Sequence, residues 1–259
     1  MLNNLDSDSM PIFKRDLTFR TPLMNAAGTL GFAPDKRATV KWDDFGAFVT
    51  NPLSLRSRLP AKNPELIEYP GGFLLHSGLP NPGLSAAIKK YARHWADTDL
   101  PIIVHLMADR PEETARMIRM LEGLENVAAV ELGFAPLLTA EIIQIAVEMS
   151  LGELPLIVNL PFEQVLSLGP RIIQLGAVAI SLAAPRGALP KGDTIIIGRL
   201  FGPSLFPQAL DVVCSAVKLG LPVIGGCGVY SQENASAMLQ SGALAVQVDT
   251  VLWKNGWMP

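Results

Sequence analysis

Residues 101–132 read PIIVHLMADRPEETARMIRMLEGLENVAAVEL and set the pattern for most of the chain. Two short apolar runs, 101–106 and 127–132, enclose a segment whose apolar side chains recur with helical spacing. Pro111 stands at a position suited to the first turn of that helix. Runs that are apolar on both faces are typical of parallel strands covered by helices, so the stretch predicts a strand, a helix and a second parallel strand.

The same alternation recurs along the rest of the chain. The further predicted strands are 22–26, 46–50, 154–160, 177–182, 222–225 and 243–248. Eight strand–helix units in about 250 residues match the size of a (β/α)8 barrel, also called a TIM barrel. The sequence therefore predicts an α/β fold, a (β/α)8 TIM barrel, and a doubly wound open sheet is the alternative.

Two segments rich in proline and glycine interrupt the regular spacing, at about 51–83 and 182–206. Both follow predicted strands, so in a barrel both lie at the carboxyl ends of the strands, where active sites are built. We interpret them as long covering loops without secondary structure of their own, a length that favours a functional role. Residues 1–259 are predicted to form a single TIM-barrel domain.

Charge and hydropathy exclude several classes of function. The chain has 21 basic and 24 acidic residues, a net charge of −3, so nothing favours a nucleic-acid or anionic-membrane partner. Its mean hydropathy is +0.30, but no apolar run approaches the roughly 18 residues of a membrane-spanning helix. Cys214 and Cys227 form neither a disulfide framework nor a zinc-site pattern. We expect a cytoplasmic protein with no membrane span and no metal site.

One glycine-rich turn is a candidate anion site. Residues 223–229 read VIGGCGV, a strand that leads into a turn, and Ser231 then has the character of a helix N-cap. In a barrel this turn follows strand seven, where backbone N–H groups commonly hold a phosphate. A tight turn that simply needs glycine conformations is an equal alternative.

Four segments, taken in order, carry a resemblance to a known family: NAAGTLG at 25–31, GAFVTN at 46–51, EYPGGFL at 68–74 and GLPNPG at 78–83. With the later segments 202–203, 222–229 and 242–250, they resemble the dihydroorotate dehydrogenases. The resemblance spans nearly the whole chain and implies an FMN-dependent oxidoreductase of pyrimidine biosynthesis on a (β/α)8 barrel. In that family a Cys or Ser base takes a substrate proton and a hydride passes to FMN.

The resemblance assigns residues to two groups. It implies that His76 and Asn81 contact substrate, and that FMN is held by Ala27, Gly28, Asn51, Asn159, Gly202, Gly226, Cys227, Gly228, Asp249 and Thr250. Within these groups Asn51 and Asn159 replace family lysines, His76 replaces an asparagine and Asp249 replaces a glycine. A poorly solvated carboxylate beside a phosphate is repulsive by several kcal/mol, on the order of magnitude of a partly buried charge pair. An Asp249 side chain that turns outward to solvent, or that caps the following segment, is the alternative and would remove this repulsion.

The base that the family carries after strand four is absent. This chain has FAPLL at 134–138, and Ala183 and Ala184 replace a polar substrate contact after strand six. A base needs a proton-accepting atom within hydrogen-bond reach, and these side chains offer none. No catalytic residue is therefore predicted.

Other charged residues receive an interpretation from the sequence alone. We interpret His105 as a structural histidine at a strand end, and a position facing the barrel mouth is the alternative. Glu131 is a strand-end carboxylate without an assigned acid–base role. Arg186, Lys191 and Arg199 make the second long segment cationic, which indicates either contacts to a phosphate or acidic partner, or a solvated loop.

Three functions follow from these observations. The first is a flavin oxidoreductase with a changed substrate or base. The second is a barrel that has lost catalysis and acts as a structural or regulatory subunit, as a homo-oligomer or with a partner subunit. The third is a flavin-free barrel that binds a small phosphate-bearing molecule through residues 226–228 and Thr250.

Overall fold

The computed structural model describes residues 17–35, 40–136, 138–253 and Trp257. Within these residues the strands are β1 (Leu23–Asn25), β2 (Phe48–Val49), β3 (Glu65–Tyr69), β4 (Gly72–His76), β5 (Ile102–Met107), β6 (Val127–Gly133), β7 (Leu156–Leu160), β8 (Ala179–Leu182), β9 (Arg186–Lys191), β10 (Thr194–Phe201), β11 (Val223–Gly225) and β12 (Ala245–Val248). The α-helices there are α1 (Leu84–Ala96), α2 (Pro111–Leu121), α3 (Ala140–Met149), α4 (Phe162–Gln174), α5 (Phe206–Lys218) and α6 (Gln232–Gln240).

Eight strands form one parallel sheet in the order β1-β12-β11-β8-β7-β6-β5-β2. A parallel bridge between Met24 and Ala47 brings the two ends of this sheet together, so that it nearly closes on itself. The helices flank the sheet, and the prediction of a (β/α)8 barrel is confirmed. The doubly wound open sheet is excluded because its end strands would lie apart.

The barrel interior is packed by alternating large and small side chains. Large residues on one strand face alanines on the next, and the partners are Met24 with Ala47, Ile103 with Ala129, Ile157 with Ala179, and Ile224 with Ala245. All eight side chains are fully buried. This apolar layer fills the base of the barrel and leaves the next inward positions toward the carboxyl ends of the strands to form the site.

The helices follow the sequence pattern that predicted them. Helix α2 begins with Pro111 in its first turn and buries Met117, Ile118 and Leu121 in the core between barrel and helices. Helix α6 is capped as predicted, because the Ser231 hydroxyl accepts a hydrogen bond from the Asn234 backbone N–H. Across the described ranges, no helix combines the length and apolar character needed to cross a membrane.

The two long segments are not irregular, and that expectation was wrong. The first contains the hairpin of β3 and β4, the second contains the hairpin of β9 and β10, and the two hairpins join in an antiparallel sheet ordered β3-β4-β10-β9. We call this four-stranded sheet the roof. A two-stranded hairpin is marginally stable alone, so pairing between β4 and β10 stabilises both segments. The segments do lie at the carboxyl ends of barrel strands, as predicted.

Candidate functional site

A cavity of about 340 Å³ lies between the carboxyl ends of the barrel strands and the roof. The barrel side of the cavity includes His105, Gly133, Asn159 and Gln247. The roof contributes the residues Leu75, His76, Arg186, Ile197, Gly198, Arg199 and Phe201. The position agrees with the rule that TIM-barrel sites are built at the carboxyl-end face.

A polar layer lies directly above the apolar layer of the barrel. Side chains alternate along a strand, so the inward position two residues after Ile103 is His105, which pairs with Glu131 on β6. Asn159 and Ser181 are paired in the same way on β7 and β8. The strand period therefore brings polar side chains from separate strands to one level.

Glu131 is the centre of this polar layer. Its carboxylate is fully buried and accepts hydrogen bonds from His105 Nδ1 at 2.6 Å, Ser181 Oγ at 2.6 Å and Gln247 Nε2 at 2.7 Å. Asn159 Nδ2 in turn donates to Ser181 Oγ at 2.9 Å. Burial alone would raise the pKa of Glu131, but the interaction with His105 and the other two donors outweigh burial and hold that pKa below its usual range. The layer thus contains a buried carboxylate held ionised by three donors.

His105 is fixed by this carboxylate and lies in the wall of the cavity. In the tautomer whose Nδ1 donates to Glu131, Nε2 is a hydrogen-bond acceptor. The ring lies against Gly133, where a Cβ atom would approach Nε2 to 2.3 Å. A carboxylate that orients a histidine in this way is an arrangement suited to proton transfer. His105 therefore makes the contacts of a structural histidine and also lies at the barrel mouth, the alternative that the sequence left open.

The roof places two arginines side by side over the cavity. Arg186 on β9 and Arg199 on β10 are direct cross-strand partners, and both line the cavity. Partial burial lowers the pKa of Arg199 below its ordinary value, and the positive charge of Arg186 lowers it further. Lys191, the third cation of this segment, forms an ion pair with Glu65 at the opposite end of the hairpin. The solvated-loop alternative holds for Lys191, and Arg186 is likewise exposed although it also lines the cavity.

Asp249 follows β12 and has a buried side chain, 3% exposed. Its carboxylate accepts hydrogen bonds from the backbone N–H groups of Gly228, at 3.2 Å, and Thr250. Burial raises the pKa of Asp249 to about 6, although both backbone donors act to lower it. The Asp249 carboxylate therefore already accepts hydrogen bonds from the N–H groups that follow β11 and β12, which are the seventh and eighth strands of the barrel.

Comparison with known proteins places this architecture in a family. The family model described as dihydroorotate dehydrogenase matches residues 14–146. A dihydroorotate dehydrogenase B (NAD(+)) catalytic subunit from Geotalea daltonii is 31% identical over 258 residues, which cover 90% of this chain and 84% of the relative. This chain belongs to the dihydroorotate dehydrogenase family.

Other dihydroorotate dehydrogenase B (NAD(+)) catalytic subunits extend the comparison. The protein from Trichlorobacter lovleyi is 30% identical, with 92% of this chain and 86% of the relative covered. The protein from Pyrococcus furiosus is 27% identical, and the match covers 93% of this chain and 86% of the relative. The similarity therefore extends over almost the entire barrel.

The dihydroorotate dehydrogenase family generally uses FMN, whose phosphate needs free backbone donors or cations. In a TIM barrel the donors that serve a phosphate lie after strands seven and eight. Here the N–H groups of Gly228 and Thr250 at that place are bonded to Asp249. A phosphate would have to displace this carboxylate or lie against its negative charge. The residues present therefore do not fit an FMN phosphate at this position.

The residues that the family resemblance assigned are divided between the cavity and the surrounding loops. Those that line the cavity are Ala27, Gly28, His76, Asn159, Cys227 and Asp249. The others are held by contacts elsewhere. Asn51 Oδ1 accepts from the Gly31 N–H, Asn81 Oδ1 accepts from the Gly83 N–H, and Gly202 packs against Gly71.

The turn at residues 226–229, which follows β11 and which we call the strand-seven turn, contacts the loops around it. Gly226 packs against Gln247, and Gly228 lies so close to Phe206 that a Cβ atom would reach its backbone nitrogen at 2.4 Å. The Thr250 hydroxyl forms a hydrogen bond of 2.6 Å with the Tyr230 hydroxyl. The turn is therefore organised by its own contacts as well as by Asp249, which explains why glycine is needed at Gly228.

Cys227 is a buried turn residue and not an activated thiol. It adopts a left-handed backbone conformation with φ of 65°, and its Sγ lies 3.6 Å from the Leu182 carbonyl oxygen. Burial raises the pKa of this thiol far above its ordinary value. The negative charge of Asp249 raises the pKa in the same direction, so the helix that follows the turn does not activate this thiol.

Sequence reasoning missed part of the site. Ser181 and Gln247 each donate a hydrogen bond to the Glu131 carboxylate. Arg58 lines the cavity, and its Nε donates to the Gly78 carbonyl oxygen at 2.6 Å. The period of two along β8 and β12 was the signal that could have identified the first pair. Leu137, in the segment 134–138, lies outside the described residues. Within the described part of the chain, no cluster of His, Cys, Asp and Glu could hold a metal ion.

Proposed function

We propose that this chain is a flavin-free member of the dihydroorotate dehydrogenase family, which binds a small ligand at the mouth of the barrel and acts as a regulatory or structural subunit. One observation carries the proposal. The Asp249 carboxylate is buried on the N–H groups of Gly228 and Thr250, where a flavin phosphate would otherwise be held. Because Asp249 already supplies a negative charge to these N–H groups, they do not favour binding of the FMN phosphate.

The rest of the cavity supports the same function. The segment 134–138 offers phenylalanine, alanine, proline and leucine where the family carries a base, so the usual proton acceptor is missing. Asn51 and Asn159 stand at positions of family lysines, and both amides are bonded to protein groups. Neither amide offers the positive charge that a reduced flavin would require nearby.

Relatives named as catalytic subunits indicate how such a chain would work. The proteins from Geotalea daltonii and Trichlorobacter lovleyi are each named the catalytic subunit of dihydroorotate dehydrogenase B (NAD(+)). A subunit of that kind has partner surfaces that a related barrel can retain after its own catalysis is lost. We therefore place this chain in a complex with a partner subunit or with a second copy of itself.

A second candidate, a flavin oxidoreductase with a different base, is favoured by one observation. His105 lines the cavity while Glu131 holds its Nδ1–H, so Nε2 is the candidate acceptor for a substrate proton. This candidate requires Asp249 to leave the N–H groups of Gly228 and Thr250. The two functions therefore differ in two measurable properties, the binding of FMN and the oxidation of a substrate.

The test combines spectroscopy with a variant. Purified wild-type protein is expected to show no flavin absorbance, no 1:1 binding of added FMN and no dye reduction with dihydroorotate. Asp249→Gly frees the N–H groups and is expected to gain FMN binding. Asp109→Gly, at a cavity carboxylate that is not bonded to these N–H groups, is the matched control and is expected to gain none. Stoichiometric FMN in the wild-type protein, or dihydroorotate oxidation by it, would overturn the proposal.

A further inference from the structure

Two like charges face each other on the roof at a place where a sheet normally avoids them. Arg186 and Arg199 are direct partners across β9 and β10, and their side chains share the face that lines the cavity. Like charges directly opposite each other in an antiparallel pair destabilise the sheet. Such a pair becomes favourable when one anion lies between the two guanidinium groups.

No carboxylate in the described ranges fills that place. Neither arginine forms an ion pair or a side-chain hydrogen bond with any described residue. Glu131 already accepts three hydrogen bonds from neutral and histidine donors, and Asp249 is bonded to the backbone of the strand-seven turn. Asp109 lines the cavity without reaching either arginine at ion-pair distance.

The remaining walls of the cavity suit a small ligand with one strongly anionic end. Arg58 supplies a third cation from the first long segment, and His105 lines the barrel side. Leu75 and Phe201, on the same face of the roof as Arg199, supply an apolar wall. The cavity therefore has a cationic end at the roof and a mixed surface elsewhere.

We propose that Arg186 and Arg199 form a binding site for a small dianion, a phosphate monoester group, between the roof and the barrel mouth. Two adjacent guanidinium groups match the several oxygens and the double charge of a phosphate, which a single carboxylate does not. The inference deepens the proposed function, because it names the ligand class of the same cavity. It rests on that function only in requiring that the cavity is not filled by FMN.

The experiment measures binding of inorganic phosphate to the full chain by titration calorimetry, at constant ionic strength adjusted with sodium chloride. We expect saturable 1:1 binding to the wild-type protein, and at least a tenfold loss of affinity in Arg186→Gln and in Arg199→Gln. Arg93→Gln, at an exposed arginine on α1, is the matched control and should bind phosphate as the wild type does. Acetate and orotate, which each carry one carboxylate, should bind at least tenfold more weakly than phosphate.

A second readout does not depend on the ligand. Without phosphate, Arg186→Gln and Arg199→Gln should each raise the Tm, because each removes the repulsion between the two guanidinium groups. Added phosphate should raise the Tm of the wild-type protein and leave that of the two variants unchanged. Absence of phosphate binding by the wild type, equal affinity in the variants, or equal binding of orotate would each overturn the inference. Flavin absorbance, measured separately, reports on the proposed function, so its failure is distinguished from a failure of flavin-free protein to bind phosphate.

Discussion

Replacing Asp249 with asparagine should remove a specific pH dependence of stability. The pKa of the aspartate is 3.8 in an unfolded chain and about 6 in the folded one, because burial penalises the charged carboxylate. At a pH below both pKa values the carboxyl group is protonated in the folded and the unfolded chain, so the difference between the two pKa values does not change the free energy of unfolding. As the pH rises from about 4 to about 6, the unfolded chain loses this proton first, so the folded state becomes less stable.

The size of the effect follows from the two pKa values. At about 1.4 kcal/mol for each pKa unit, the difference between 3.8 and about 6 lowers the free energy of unfolding by about 3 kcal/mol, an effect complete above about pH 6. Asparagine has no proton to lose, so Asp249→Asn lacks this decrease. The variant should therefore gain stability relative to the wild type as the pH rises, whatever constant offset the altered hydrogen bonds to Gly228 and Thr250 introduce.

Urea unfolding followed by circular dichroism, at intervals between about pH 3.5 and about pH 7.5, measures both curves. Asp109→Asn serves as the control, since this cavity residue makes no bond to the strand-seven turn. The reasoning is refuted if the difference between wild type and Asp249→Asn stays constant over this range. It is equally refuted if Asp109→Asn changes the pH dependence as strongly as Asp249→Asn does.

Three further predictions test the polar layer and the turn. His105→Ala should lower the free energy of unfolding by about 3–5 kcal/mol in urea, because the buried Glu131 carboxylate loses a partner; a loss below about 1 kcal/mol would contradict the described network. Gly133→Ala should cost about 1–3 kcal/mol, because its Cβ would lie 2.3 Å from His105 Nε2, and this cost should vanish in the His105→Ala background. Iodoacetamide should modify the partly exposed Cys214 before the buried Cys227, as measured by mass spectrometry, and the reverse order would refute the assignment of Cys227 as an unactivated thiol.

The sequence predicts the barrel because each strand carries its own signal. The run at 101–106 is apolar on both faces, and Pro111 marks the following helix, so each unit can be identified locally. The roof could not be identified in this way. His76 on β4 and Ile197 on β10 are separated by 121 positions, and their contact depends on where the barrel brings the two hairpins.

Side-chain direction limits what can be predicted about the site. Asp249 was recognised as a carboxylate near a phosphate position, but only the folded turn reveals that its oxygens face the N–H groups of Gly228 and Thr250. The opposition of Arg186 and Arg199 likewise depends on the hairpin register, which a shift of one residue would abolish. These features arise from geometry between segments and have no signature within either segment.

The roof also has a consequence for synthesis of the chain on the ribosome. Strand β4 is made long before β10, so one edge of the first hairpin has no partner until the ribosome has passed Phe201. An unpaired edge is a surface on which a neighbouring chain can add a strand. A nascent or truncated chain that stops before Arg186 therefore has an unpaired strand edge at β4 that can pair with another chain. Completion of β10 covers this edge and protects the complete chain against self-association.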